Sequence, residues 1–80
     1  MGNPICYKGT VVDFNTVTSS GYRDIRGAVQ NGPGSLFYGV LLTVRGGNEI
    51  LQLVSTSDNI LFSRASTSGG SEWSDWVKLN

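Results

Sequence analysis

From residue 37 to the end, the chain is a series of short apolar runs separated by turns rich in Gly, Asn, Asp and Ser. Phe37 to Arg45 is the most apolar run. Tyr38, Val40, Leu42 and Val44 share one parity, and Phe37, Leu41 and Thr43 share the other. Apolar side chains on both faces predict a central, two-sided strand, and the β-branched and aromatic content together with Gly39 argues against a helix here. Arg45-Gly46-Gly47-Asn48 reads as a hairpin turn. Residues 49–55 follow as a strand, with Ile50, Gln52 and Val54 alternating against Leu51 and Leu53. After a turn at Ser57-Asp58-Asn59, Ile60, Phe62 and Arg64 alternate against Leu61, Ser63 and Ala65. Ser68-Gly69-Gly70-Ser71 is the last turn, and residues 73–79 are expected to close the chain as a strand.

The first half is less regular. Asp13 or Asn15 is placed to cap a single helical turn, since a short side-chain oxygen accepts the free N–H groups there. Ser19-Ser20-Gly21 marks a bend, residues 22–26 read as a short strand, and Asn31-Gly32-Pro33-Gly34 is the clearest loop signal. The expected fold is mainly β: one domain over residues 1–80, a small antiparallel meander of about four to five strands with at most one short N-terminal helical turn. The expected core is Tyr38, Val40, Leu42, Ile50, Val54, Ile60, Phe62 and a tryptophan. Each large apolar side chain buried there should contribute about 1.5–3 kcal/mol before entropy costs.

Composition narrows the partners. The charged fraction is 15 %, against roughly 25 % in ordinary globular domains, and six basic side chains cancel six acidic ones. No basic field is available for nucleic acid, and no basic amphipathic stretch suggests a membrane surface. With 80 residues the chain buries a modest core, so neighbouring modules or copies of itself are expected to supply further burial. Pro4, Lys8 and Asp13 interrupt any apolar stretch near the start, so no signal peptide is read there. Cys6 is the single cysteine, which excludes an internal disulfide.

The candidate chemistry is sparse. The absence of histidine removes Ser-His-Asp and Cys-His catalysis and most transition-metal sites. Asp13, Asp24, Glu49, Asp58, Glu72 and Asp75 fall at expected turns, strand ends or solvent faces, which suits capping and solubility better than a paired-carboxylate hydrolase. No catalytic, cofactor-binding or metal residue is expected, and the chain is not read as an enzyme. Asn31-Gly32-Pro33-Gly34 lacks the Lys-Ser/Thr pair of a phosphate loop, and the single Arg45-Gly46-Gly47 is a turn. Gln52 and Arg64 each share parity with apolar residues, so they are expected to meet across adjacent strands, with Arg64 stacked on an aromatic ring. Trp73 and Trp76 have opposite parity in a regular strand, and only a bulge or a turn near Ser74 brings them together.

The order of these motifs resembles a known family. Asp13-Phe14-Asn15-Thr16 leads through Ser20-Gly21-Tyr22 to Asn31-Gly32-Pro33. Gly39-Val40-Leu41-Leu42, Gln52, Arg64 and Trp73-Ser74-Asp75-Trp76-Val77-Lys78-Leu79 follow. This resembles the pyocin-knob type module of bacteriophage tail fibres and of phage-tail-like bacteriocins, over about residues 9 to 79. Three features depart from the pattern. Gly21 is followed directly by Tyr22, Phe14 stands in place of the common Leu, and Gly32 in place of a small residue such as Ala. The resemblance implies a structural or receptor-facing part of a virion tail fibre or tailspike, assembled in the bacterial cytoplasm. It implies other fibre segments as partners, a homotrimer in the full-length fibre, and host-cell attachment without catalysis, with a host cell-surface glycan as a candidate contact. The rival expectation is an autonomous carbohydrate-binding module that stacks sugar on Tyr22, Trp73 and Trp76, with Arg64 as a further ligand residue.

Overall fold

The computed structural model describes residues 6–34 and 36–80, and for Leu36 the backbone alone; Pro4 lies outside the described residues. Within them the turns join strands into one six-stranded sheet whose spatial order follows the sequence. The strands are β1 (Tyr7–Thr10), β2 (Gly21–Ala28), β3 (Leu36–Gly46), β4 (Glu49–Thr56), β5 (Leu61–Ser66) and β6 (Val77–Lys78). All neighbours are antiparallel except β1 and β2, which run parallel through the crossover 11–20. That crossover carries the single expected helical turn, a 3-10 turn at Phe14–Thr16 capped by Asp13, whose carboxylate accepts the Asn15 N–H at 3.0 Å.

The mainly β fold is as the alternation predicts, with a slightly higher strand count. β1 is an addition, and β2 is longer than residues 22–26. At the other end, the strand expected over residues 73–79 shrinks to Val77–Lys78, because the chain leaves the sheet before both tryptophans.

One face of the sheet is covered and the other is bare. Paired residues of adjacent strands point to the same side. The register therefore builds an inner row of Arg23, Leu41, Val54 and Phe62 and a second inner row of Thr43, Gln52 and Arg64. Val11, Phe14 and Val17 from the crossover close over this face, with Ile25, Val29, Leu41 and Val54 beneath them and Phe37, Phe62 and Trp76 at the margin.

This register corrects the expected core. Ile50 and Val54 are buried and Phe62 packs against the cluster, but Tyr38 and Val40 are 61 % and 48 % exposed, and Leu42 lies on their side of the sheet. Ile60 is only half-buried and precedes β5. The inward residues of β3 are Phe37, Leu41 and Thr43. Gly46 pairs with Glu49 across the two-residue turn Gly47-Asn48, with Gly47 at φ +68°. Counting back from that pair places Arg45 opposite Ile50 and Leu41 opposite Val54. Hydrophobicity could not fix this parity, because both faces of β3 are apolar. Gly39 lies where β2, β3 and β4 run close, and a Cβ there would fall on the Ser55 carbonyl and lie 2.9 Å from Thr56 Cα.

On the bare face Asp24 ties β1 to β2. The Tyr7 phenol donates to its Oδ1 at 2.8 Å, the Thr10 hydroxyl donates to the same oxygen at 2.9 Å, and Arg26 forms an ion pair with Oδ2. These partners, the Tyr7 hydrogen bond first and the Arg26 bond second, hold the carboxyl at about 2.

Two outcomes test this arrangement. Leu41→Ala should cost about 2–5 kcal/mol as a buried truncation, and Val40→Ala on the bare face well under half of that. Urea unfolding of the two variants at low protein concentration compares them, and equal losses would contradict the assigned parity. The Asp24 carboxyl, followed by NMR, should titrate near 2, and Tyr7→Phe should raise that midpoint toward the ordinary 3.8. Because the folded value is depressed, the Asp24 contribution to stability is complete above the ordinary value and fades as pH falls toward 2.

Candidate functional site

Row by row, the inner face changes character. Beside the apolar row lies Thr43–Gln52–Arg64, three polar side chains in register on β3, β4 and β5. Thr43 and Gln52 have no exposed surface and Arg64 is 7 % exposed. Burying groups of this kind is costly unless their donors and acceptors find partners.

Gln52 meets that demand at both ends of its amide. Its Nε2 donates to the carbonyls of Phe14 at 2.7 Å and Val17 at 3.0 Å, the first residue and the C-terminal cap of the 3-10 turn. Its Oε1 accepts from Arg64 Nε at 2.7 Å. Arg64 Nη2 donates in turn to Asn15 Oδ1 at 2.9 Å. The guanidinium carbon stands 4.2 Å from the Trp73 ring centroid and 4.8 Å from that of Trp76, within cation–π range of both. Among the described residues the one ion pair is Arg26–Asp24, so Arg64 is held without a carboxylate in contact. Burial draws the Arg64 guanidinium down to about 10, with the charge of Asp13 acting weakly the other way. It therefore remains a cation at neutral pH.

An outer ring of bonds holds these groups in place. Asp13 Oδ1 accepts from Asn31 Nδ2 at 2.8 Å as well as from the Asn15 N–H. Both bonds, that from Asn31 foremost, keep the Asp13 carboxyl below its usual range. Asn31 adopts φ +60°, a conformation asparagine tolerates, and its carbonyl accepts from Trp76 Nε1 at 3.0 Å. Trp76 also meets the Phe14 ring edge-on, at a centroid separation of 5.4 Å. Trp73 is carried by the loop after β5. Ser66 Oγ accepts from the Gly70 N–H at 3.0 Å, and Ser74 bridges back to the Ala65 backbone through both its N–H and its hydroxyl.

The expected meeting of Gln52 with Arg64, and of Arg64 with an aromatic ring, is present. Trp73 and Trp76 come together because their segment is a loop, where strand parity does not apply. Tyr22 is elsewhere: it pairs with Leu42 on the bare face, its ring 5.6 Å from that of Tyr7, so Tyr22, Trp73 and Trp76 share no surface. Asn15 and Asn31 are additions to the site. Their turns were legible in the sequence, but nothing local indicated that their amides reach Arg64 and Asp13.

A shallow cleft of about 400 Å³ opens over the cluster, lined by Asn15, Asn31, Arg64, Trp73, Asp75 and Trp76 among others. The indole faces toward Arg64 are already occupied by the guanidinium. Among the described residues, no three His, Cys, Asp or Glu side chains gather as metal ligands would.

No protein-family model matches the chain, and neither the curated proteins nor the solved structures gave a match.

The cluster should behave as one energetic unit. Gln52→Leu removes the partner of the Val17 carbonyl and of Arg64 Nε, at roughly 1–3 kcal/mol for each group left unsatisfied, while the Phe14 carbonyl keeps the Val17 N–H at 3.2 Å. Arg64→Met should cost a comparable amount. The double variant should lose less than the sum of the two, by about 0.5–3 kcal/mol of coupling. Denaturant unfolding of the four-member cycle measures this, and strict additivity would show that the pair does not act together.

Proposed function

We propose that this chain is a structural and receptor-facing module of a bacteriophage or prophage tail fibre or tailspike, contributing to host attachment without catalysis. The observation that carries this reading is spatial. The residues on which the resemblance to pyocin-knob modules rests are scattered from Asp13 to Leu79, and a subset of them converges. In the fold Asp13, Phe14, Asn15, Asn31, Gln52, Arg64, Trp73 and Trp76 form one connected cluster. The polar and aromatic members of the motif set thus share one structural task, while Tyr22, Val40 and Leu42 lie on the opposite face.

Two departures from the family pattern also account for each other. A Cβ on residue 32 would lie 2.9 and 3.1 Å from the Phe14 ring. With Phe14 in place of the common Leu, the ring occupies the space an alanine methyl at position 32 would need, and Gly32 leaves it free. Paired departures of this kind support a shared architecture with one compensated change.

In this reading the buried plug locks the crossover and the tail to the sheet, giving a stiff module to space or display the host-contacting end. The partners are other fibre segments, in a homotrimer, and the place is the virion. The rival reading, an autonomous carbohydrate-binding module, draws less support: Tyr22 is remote from the tryptophans, and Arg64 takes up their facing surfaces.

The test is the composition of particles. Phage or phage-tail-like particles induced from cells that encode the chain, purified and digested, should yield its peptides by mass spectrometry. Antibodies raised against it should decorate the fibres in electron micrographs. Particles that carry neither the peptides nor the label would refute the proposal.

A further inference from the structure

The cleft over Arg64 holds donors that the chain itself does not use. A guanidinium carries five N–H groups in a flat fork. The protein takes one from Nε, for Gln52, and one from Nη2, for Asn15. Nη1 has no acceptor among the described residues. It is also not among the partnerless groups sealed from solvent, which are Arg23 Nη1, Thr43 Oγ1 and Trp73 Nε1. Arg64 is 7 % exposed and lines the cleft of about 400 Å³, so its spare donors open there. Trp73, in the wall of the same cleft, adds a buried N–H without an acceptor. A cation buried this far and left with unused donors is a site short of one anion.

We propose that this cleft binds an acidic sugar, held by its carboxylate on Arg64. The two oxygens of a carboxylate match the fork of Nη1 and Nη2, and its single charge matches the single cation. Charge restricts the ligand to a monoanion. Asp75 stands on the rim, and Asp13 acts on Arg64 from beyond Asn15 and Asn31. Asp75 is exposed and screened by water, whereas the Arg64 donors sit in a largely desolvated wall, so direct contact outweighs the rim for one negative charge. A dianionic phosphate would face both carboxylates with one cation to offset them. The rest of the lining suits hydroxyls. Arg64 holds Asn15 by its Oδ1, which leaves Nδ2 as a donor; Asn31 Oδ1 and the Ser71 hydroxyl are unbonded among the described residues. A hydroxyl-bearing ring answers this mixture of donors and acceptors, and the volume lies at the lower end of ordinary ligand sites. Recognition by charge is distinct from a stacking platform, since it leaves both indoles on the guanidinium. The ligand chemistry follows from the cleft; that the sugar belongs to a host surface rests on the receptor-facing reading above.

Both tryptophans of the chain line the cleft, so intrinsic fluorescence reads its occupancy. Methyl glucuronide should change the emission saturably at millimolar concentration, and methyl glucoside, its neutral counterpart, should not. Asn15→Asp gives Arg64 a carboxylate from the protein itself and should weaken glucuronide binding at least about tenfold with an unchanged circular dichroism spectrum. Asp75→Asn removes the opposing charge on the rim and should tighten binding by about two- to fivefold. If Asn15→Asp fails to fold, Ser71→Glu on the exposed rim serves in its place and should also weaken binding. Acetate or glucose 6-phosphate bound as tightly as glucuronide overturns the acidic-sugar assignment. A wild type with no saturable response overturns the site, as does glucuronide binding indifferent to the added carboxylates. None of these titrations bears on the particle-composition test, so this site and the tail-fibre reading fail separately.

Discussion

The structure depends on keeping one cation, Arg64, inside a small domain without a carboxylate to neutralise it. A lone buried charge would be expelled or would unfold the site. Here the guanidinium is accommodated by two amide oxygens, from Gln52 and Asn15, and by the faces of two indoles. These partners come from three separate parts of the chain: a neighbouring strand, the crossover turn and the C-terminal loop. Satisfying one side chain therefore requires the whole cover of the sheet to be assembled. In a chain of this length, with a core of few large apolar residues, that requirement adds specificity that burial alone would leave weak.

The same cluster explains why the cover is irregular. The crossover 11–20 and the tail loop carry little regular structure of their own. Their shape is set by polar groups that must be met. The carbonyls of Phe14 and Val17 are met by Gln52, the Asp13 carboxylate by Asn31, and the Asn31 carbonyl by Trp76. Removing Gln52 would release the 3-10 turn from the sheet as well as release Arg64. For this reason the cluster reads as architecture with a cleft above it, and the apolar cover and the polar plug are parts of one mechanism for closing the inner face.

Local chemistry made much of this legible. The turns at Gly47-Asn48 and Ser57-Asp58-Asn59 and the period-two alternation place β3, β4 and β5, and shared parity on adjacent strands brings Gln52 to Arg64. What was not legible required distance information. β1 is four residues long and pairs in parallel across a crossover, so no hairpin signal announces it. The segment Ser68-Gly69-Gly70-Ser71 resembles a hairpin turn in composition. Positive φ at both glycines and the capture of the Gly70 N–H by Ser66 instead carry the chain out of the sheet. Trp73 and Trp76 then flank Arg64 from a loop.

The misassigned parity of β3 and the bare face have a common origin. A strand of a one-sided sheet would normally carry polar residues outward, and the alternation would reveal its inner face. β3 instead carries Tyr38, Val40, Leu42 and Val44 outward, and β4 adds Leu51 and Leu53 beside them. The sequence of β3 is thus that of a strand buried on both sides, in a sheet that a single chain covers on one side only. The apolar pattern predicts a strand covered on two faces, whereas the chain itself covers only the face that carries Leu41 and leaves Tyr38, Val40 and Val44 exposed.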